Sequence, residues 1–107
     1  MDYMLTYTSG SVGTAGDNTL IAAPGTGNRI AITLFIIENN TNTATGLQLK
    51  DGATTQWTFV NNTIGDCFSC IFPKDQEWRL SANAALVLSL GAANQHFYNV
   101  SYFVEHT

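Results

Sequence analysis

The chain has 107 residues, a net charge of −4, 45% hydrophobic residues and only 11% charged ones. That length suits one domain, and the apolar content excludes a disordered chain. The four basic residues, Arg29, Lys50, Lys74 and Arg79, are scattered, which argues against nucleic acid as a partner, and the absence of a run of about 18 apolar residues excludes a membrane-spanning helix.

In chain order, Tyr3 to Thr8 alternates weakly and reads as a first strand at a sheet edge. Ser9 to Asp17 is rich in Gly and Ser and reads as a loop, so residues 1–14 are either an edge strand or an N-terminal arm. Asn18 to Ala23 is a short strand stopped by Pro24, which cannot donate to a ladder. Gly25-Thr26-Gly27 is a turn, too short and without a following helix to hold a phosphate. Arg29 to Glu38 is the longest apolar segment. Unbroken alternation places Ile30, Ile32, Leu34 and Ile36 on one face and Ala31, Thr33, Phe35 and Ile37 on the other. A strand apolar on both faces is central or covered on both sides.

Asn39 to Gly46 is a polar loop. Leu47 and Leu49 begin a strand that ends at the turn dipeptide Asp51-Gly52. Gln56–Val60, Cys67–Phe72 and Glu77–Leu80 follow, separated by turn residues. Ala84–Leu90 could be helical by propensity, but the alternation of Leu86, Leu88 and Leu90 favours a strand. His96–Glu105 closes the chain, with Tyr98, Val100, Tyr102 and Val104 on one side and Phe97, Asn99, Ser101 and Phe103 on the other. Eight or nine short strands with regular turns predict an all-β, single-domain antiparallel sandwich or jelly roll.

No catalytic constellation stands out. Cys67 and Cys70 lie three apart on a strand and so point to opposite faces, which disfavours a shared metal or a local disulfide. His96 and His106 have no nucleophile nearby, and His106 is expected to fray. Most carboxylates sit in turns or at strand ends, where turn chemistry accounts for them. The expectation is a protein that is not an enzyme and needs no metal or cofactor. Met1-Asp2-Tyr3-Met4 has no basic, apolar leader character. Polarity comes from neutral Thr, Asn, Ser and Gln. A surface this short of charge suits a chain partly covered by copies of itself or by another protein. Phe97 and Phe103, with Phe35 and Ile37, are the candidate interface residues. Trp57, Trp78 and the tyrosines could alternatively offer a stacking platform to a sugar.

The run Ala15-Gly16-Asp17-Asn18-Thr19-Leu20-Ile21-Ala22-Ala23-Pro24, the Gly turn and long strand after it, Lys50-Asp51-Gly52, Ala84–Leu90 and Val100–Glu105 occur in an order that resembles small β-rich structural proteins of tailed bacteriophages, of the capsid decoration or head-fibre type. The resemblance spans residues 15–105. It implies a jelly roll or sandwich, a place on the virion surface, the major capsid protein and copies of the same chain as partners, and a homotrimer. It carries over no catalytic residue. The alternative it leaves is a carbohydrate- or receptor-binding module of a phage fibre.

Overall fold

The β-branched run from Ile30 to Ile37 forms the backbone of the fold. In the computed structural model, which describes residues 4–107, it belongs to a twelve-residue strand, β3 (Asn28–Asn39). The other strands are β1 (Thr6–Val12), β2 (Gly16–Ile21), β4 (Thr45–Asp51), β5 (Thr54–Asn61), β6 (Cys67–Ile71), β7 (Trp78–Arg79), β8 (Leu86–Leu90) and β9 (His96–His106). They make two antiparallel sheets. Sheet A has the order β1-β9-β3-β6, with β7 also paired to β3, and sheet B has the order β2-β8-β4-β5. Leaving β7 aside, this is the strand order of an eight-stranded jelly roll. β3 and β9 pair along nearly their whole length, from Asn28 opposite His106 to Asn39 opposite His96. His106 is therefore held in the ladder rather than frayed, and the Thr107 N–H donates to the Gly27 carbonyl at 2.9 Å.

The alternation along β3 breaks once. Ile32 faces Tyr102 and Leu34 faces Ser101, so Thr33 is an extra residue, a β-bulge. Its hydroxyl is 3.0 Å from the Ser101 carbonyl and 2.8 Å from Ser101 Oγ. Its carbonyl accepts the Phe72 N–H at 2.8 Å. Because side chains repeat every two residues, one extra residue exchanges the faces beyond it. Ile30 and Ile32 point into the sandwich before the bulge, and Phe35 and Ile37 do so after it; all four are fully buried. Leu34 and Ile36, expected inside, are turned outward and half-buried. The strict alternation anticipated for Arg29–Glu38 is thus corrected at Thr33.

The core is completed from sheet B by Leu47, Leu49, Leu86, Leu88 and Leu90. The segment with helical propensity is strand β8, as its leucine spacing indicated. Phe35 is the centre of an aromatic cluster between the sheets. Its ring lies 5.3 Å from Phe68, 6.1 Å from Phe72 and 6.3 Å from both Trp57 and Trp78. Trp57 and Trp78 meet edge to face at 6.0 Å, a preferred aromatic geometry.

One end of the sandwich is polar. Asn39, Thr45, Asn61 and His96 are buried there. The Asn39 amide donates to the Thr43 carbonyl at 3.0 Å and the Asn61 carbonyl at 3.3 Å, and its Oδ1 accepts from the Thr41 N–H and hydroxyl at 2.9 and 2.8 Å. This satisfies the backbone of the loop after β3, as a buried polar group must. Nδ1 of His96 is 2.9 Å from the Asn94 carbonyl; a carbonyl only accepts, so Nδ1 carries the proton.

The N-terminal half departs from the sequence reading in one further way. The stretch from Ser9 to Val12, expected to be loop, continues β1, which pairs residue for residue with β9 from Thr6–Tyr102 to Val12–His96. The glycine there serves the strand: a Cβ at Gly10 would lie 2.9 Å from the Tyr98 hydroxyl oxygen, so the ring packs against bare backbone. Tyr3, where the first strand was expected to begin, lies outside the described residues.

Candidate interaction face

The two outer faces of the sandwich differ in character. Sheet B shows Asp17, Thr19, Gln48, Lys50, Thr58 and Ser89 on its outside, tied in part by Lys50 Nζ to Asp17 at 3.2 Å and Thr55 Oγ1 to Gln48 Oε1 at 3.2 Å. On the outside of sheet A, the β-bulge has turned Leu34 and Ile36 toward solvent. One row of paired residues across this sheet reads Tyr7, Ser101, Leu34, Ile71; the next reads Ser9, Asn99, Ile36, Ser69. Tyr7 is 73% and Ile71 78% exposed. Phe97 lies on the same face at 39% exposure, and Phe103, half-buried, pairs with Ala31.

Of the four candidate interface residues, then, Phe97 and Phe103 lie on this outer face and Phe35 and Ile37 do not. The latter two are fully buried between the sheets, so their side chains have no surface left for a partner. The bulge at Thr33 is the physical reason. Leu34, Ile36, Ile71 and Tyr7 take their place on the outer face, and sequence alternation alone could not show this.

Two shallow depressions meet at Ser9 and Asn99 on this face. One, of about 120 Å³, is lined by Tyr7, Ser9, Leu34, Asn99 and Ser101. The other, of about 400 Å³, is lined by Ser9, Ser11, Phe97 and Asn99 among others. No charged group lines either. Trp57 and Trp78, the tryptophans considered as a sugar platform, pack against the core instead.

One charged cluster is committed to structure. Glu105 on β9 accepts from Nε of Arg29 at 3.0 Å and from Nε of Arg79, joining β3, β9 and β7 at one end of the outer face. Arg79 also reaches Glu77 at 3.5 Å. Burial pushes the Glu105 carboxyl up, but the hydrogen bonds and charges of Arg79 and Arg29 outweigh it and hold it below its ordinary value of 4.5. The same hydrogen bond, against the opposing effect of burial, raises Arg79. A carboxyl depressed by folding stabilises fully above its unfolded pKa, and that stabilisation is lost as pH falls through the folded value. Glu105→Gln should therefore cost about 1 kcal/mol near neutrality. Thermal unfolding should show the wild type losing its advantage over the variant as the pH drops below 4.5; a constant difference down to acid pH would contradict this role.

Two other carboxylates close turns. Asp51 accepts the Ser81 N–H at 3.0 Å and hydroxyl at 2.8 Å, and Asp66 accepts the Asn62 and Thr63 N–H groups at 2.8 and 3.2 Å. Cys67 is exposed and Cys70 half-buried, both free, and their pairing with Glu38 and Phe35 places them on opposite faces of sheet A. Among the described residues, no group of three or more His, Cys, Asp or Glu could hold a metal ion, and no helix is long and apolar enough to cross a membrane.

No family model matches the chain, and no curated protein matches it in sequence. Solved structures do share its fold. The crystal structure of PirA is similar with a TM-score of 0.53 and 14% identity, over 95% of this chain and 94% of that one. The virus-like particle of the extra small virus of the giant freshwater prawn Macrobrachium rosenbergii is similar with a TM-score of 0.50 and 9% identity, over 100% of this chain and 82% of that one. At these identities the likeness is one of fold. It agrees with the observed strand order: the chain is a small all-β domain of two antiparallel sheets in a sandwich.

Proposed function

We propose that this chain is a non-enzymatic structural protein that acts by surface contact, as a decoration subunit on the outside of a bacteriophage capsid. The observation that carries the reading is the asymmetry of the two outer faces. Sheet B offers water a mostly polar surface on which Val60 is exposed, whereas sheet A offers Leu34, Ile36, Ile71 and Phe97. Apolar surface removed from water contributes roughly 2.5 kcal/mol per ~100 Å² before the cost of association. A modest contact repeated over many copies on one shell is enough to cement it. A chain of similar fold is found in the prawn virus-like particle, which supports a role in a shell, and the resemblance in residues 15–105 supports the tailed-phage setting.

The test is co-sedimentation with capsids of the parent phage. Wild-type protein should pellet with them and raise the temperature at which they open. Ile71→Asp alters a side chain that is already 78% exposed, so the fold should survive while capsid binding weakens at least about tenfold, because an unpaired carboxylate cannot be buried cheaply. No binding by the wild type, or equal binding by the variant, would sink this reading.

A further inference from the structure

Strand β1 is an edge of sheet A that, among the described residues, pairs only with β9. Its sequence, Thr6-Tyr7-Thr8-Ser9-Gly10-Ser11-Val12, contains no charge and no proline, and its register with β9 is unbroken over all seven residues. Natural edges are usually guarded by charges, prolines, bulges or brevity. The other edges here carry such devices: β2 has Asp17 and a register shift before Ile21, β5 a shift next to Trp57, and β6 only five residues. β1 has none, so its outward backbone groups form a seven-residue template whose chemical complement is another extended strand.

We propose that β1 pairs antiparallel with β1 of a second copy of this chain, about a two-fold axis through Ser9. Two sheets A then run into one continuous sheet, and Tyr7 of each copy fills the depression beside Phe97 of the other. The register follows from the strand itself. An axis through Ser9 pairs all seven residues, and it keeps outer face with outer face because Tyr7, Ser9 and Ser11 alternate. It sets Tyr7 opposite Ser11 of the second copy. Ser11 is the neighbour of Phe97 in the β1–β9 ladder, and both line the larger depression, about 400 Å³. The 73% exposed phenol ring and the depression are thus a projection and a recess on one surface. Such self-complementarity is what a two-fold interface requires. Among the described residues Ser9, Ser11 and Asn99 have no side-chain hydrogen-bond partner, which leaves them available to the incoming strand and ring.

The pairing is a property of the free protein and does not depend on a capsid. It replaces the three-fold assembly that the phage resemblance implies with a two-fold one. The experiment measures the mass of the free chain by light scattering at several concentrations. Wild type should be a dimer. Ser9→Lys sets two like charges side by side on the axis and should weaken dimerisation about tenfold or more; Ser9→Glu should do the same. Mixing the two variants should restore a dimer of one chain of each kind, which neither an unfolded variant nor a contact elsewhere would give. Tyr7→Ala should weaken the dimer without changing its symmetry. A trimer, a monomer at every concentration, a Ser9→Lys chain as dimeric as wild type, or a mixture that stays monomeric would each overturn the proposal. A chain that dimerises in this way yet sediments with no capsid would remove the decoration reading and leave the β1 pairing intact.

Discussion

Phe35→Ala should lower the free energy of unfolding by about 3–5 kcal/mol, the range for deleting a buried phenylalanine ring. The reason is local and specific. Phe35 is fully buried, and its ring is the common neighbour of Phe68, Phe72, Trp57 and Trp78. Removing it leaves a cavity walled by four large rings that belong to β5, β6, β7 and the turn after β6, so the wall cannot collapse by moving one side chain. A domain of this kind has about 5–15 kcal/mol in total, and the loss takes a large part of it. Urea unfolding followed by tryptophan fluorescence measures the effect, since both tryptophans report on the same cluster. If Phe35 were an interface residue instead, the substitution would leave the unfolding midpoint almost unchanged and alter only assembly.

Deleting Thr33, by contrast, should leave the fold standing, because Thr33 is the extra residue of the bulge. Without it Ile32 still faces Tyr102 and Leu34 still faces Ser101, and Ile30, Ile32, Phe35 and Ile37 share the inward face by simple alternation. The losses are local: the hydroxyl contacts to Ser101, the carbonyl that accepts the Phe72 N–H, and the bend of the bulged strand. The expected cost is about 1–3 kcal/mol, with near-ultraviolet circular dichroism retained. A deletion chain without tertiary signals would show that the bend at the bulge, rather than the facing of its flanks, holds the core together. Thr33→Ser, which keeps the hydroxyl facing Ser101, should behave nearly as wild type.

These two results turn on what periodicity can and cannot show. Strand positions were legible because apolar alternation, β-branched residues and turn dipeptides agree in most segments. Leu47, Leu49, Leu86, Leu88 and Leu90 were read onto their inward face correctly, and Asp51-Gly52 was read correctly as a turn. The bulge was not legible. All eight residues from Ile30 to Ile37 except Thr33 are apolar, so neither parity stands out, and the extra residue is fixed by the partner strand β9, nearly seventy positions away. The interface candidates inherited this error: Phe35 and Ile37 were placed outside by an alternation that the fold breaks. Phe97 and Phe103 lie on the face of β9 opposite Tyr98 and Val100, as the alternation of that strand indicates, because β9 has no bulge. The continuation of β1 through Ser9 to Val12 was hidden for another reason. Glycine and serine there signal a loop locally, whereas the Tyr98 ring gives Gly10 a purpose only in the assembled sheet.

The order of strands also sets the timing of folding. β9 lies between β1 and β3 and supplies a ladder to each, yet it is the last strand of the domain to leave the ribosome. Until residues 96–106 are made, β1 and β3 have no partner for these ladders, and every link in this sheet must wait for closure over a long loop. Topologies dominated by such distant pairings fold in about milliseconds to seconds rather than microseconds. During that wait β1 is an uncharged, unpaired strand, exposed to its counterpart on a neighbouring nascent chain. Synthesis from crowded ribosomes should therefore favour capture of one chain by another, and the rate at which β9 is delivered should decide how much of the product closes on itself.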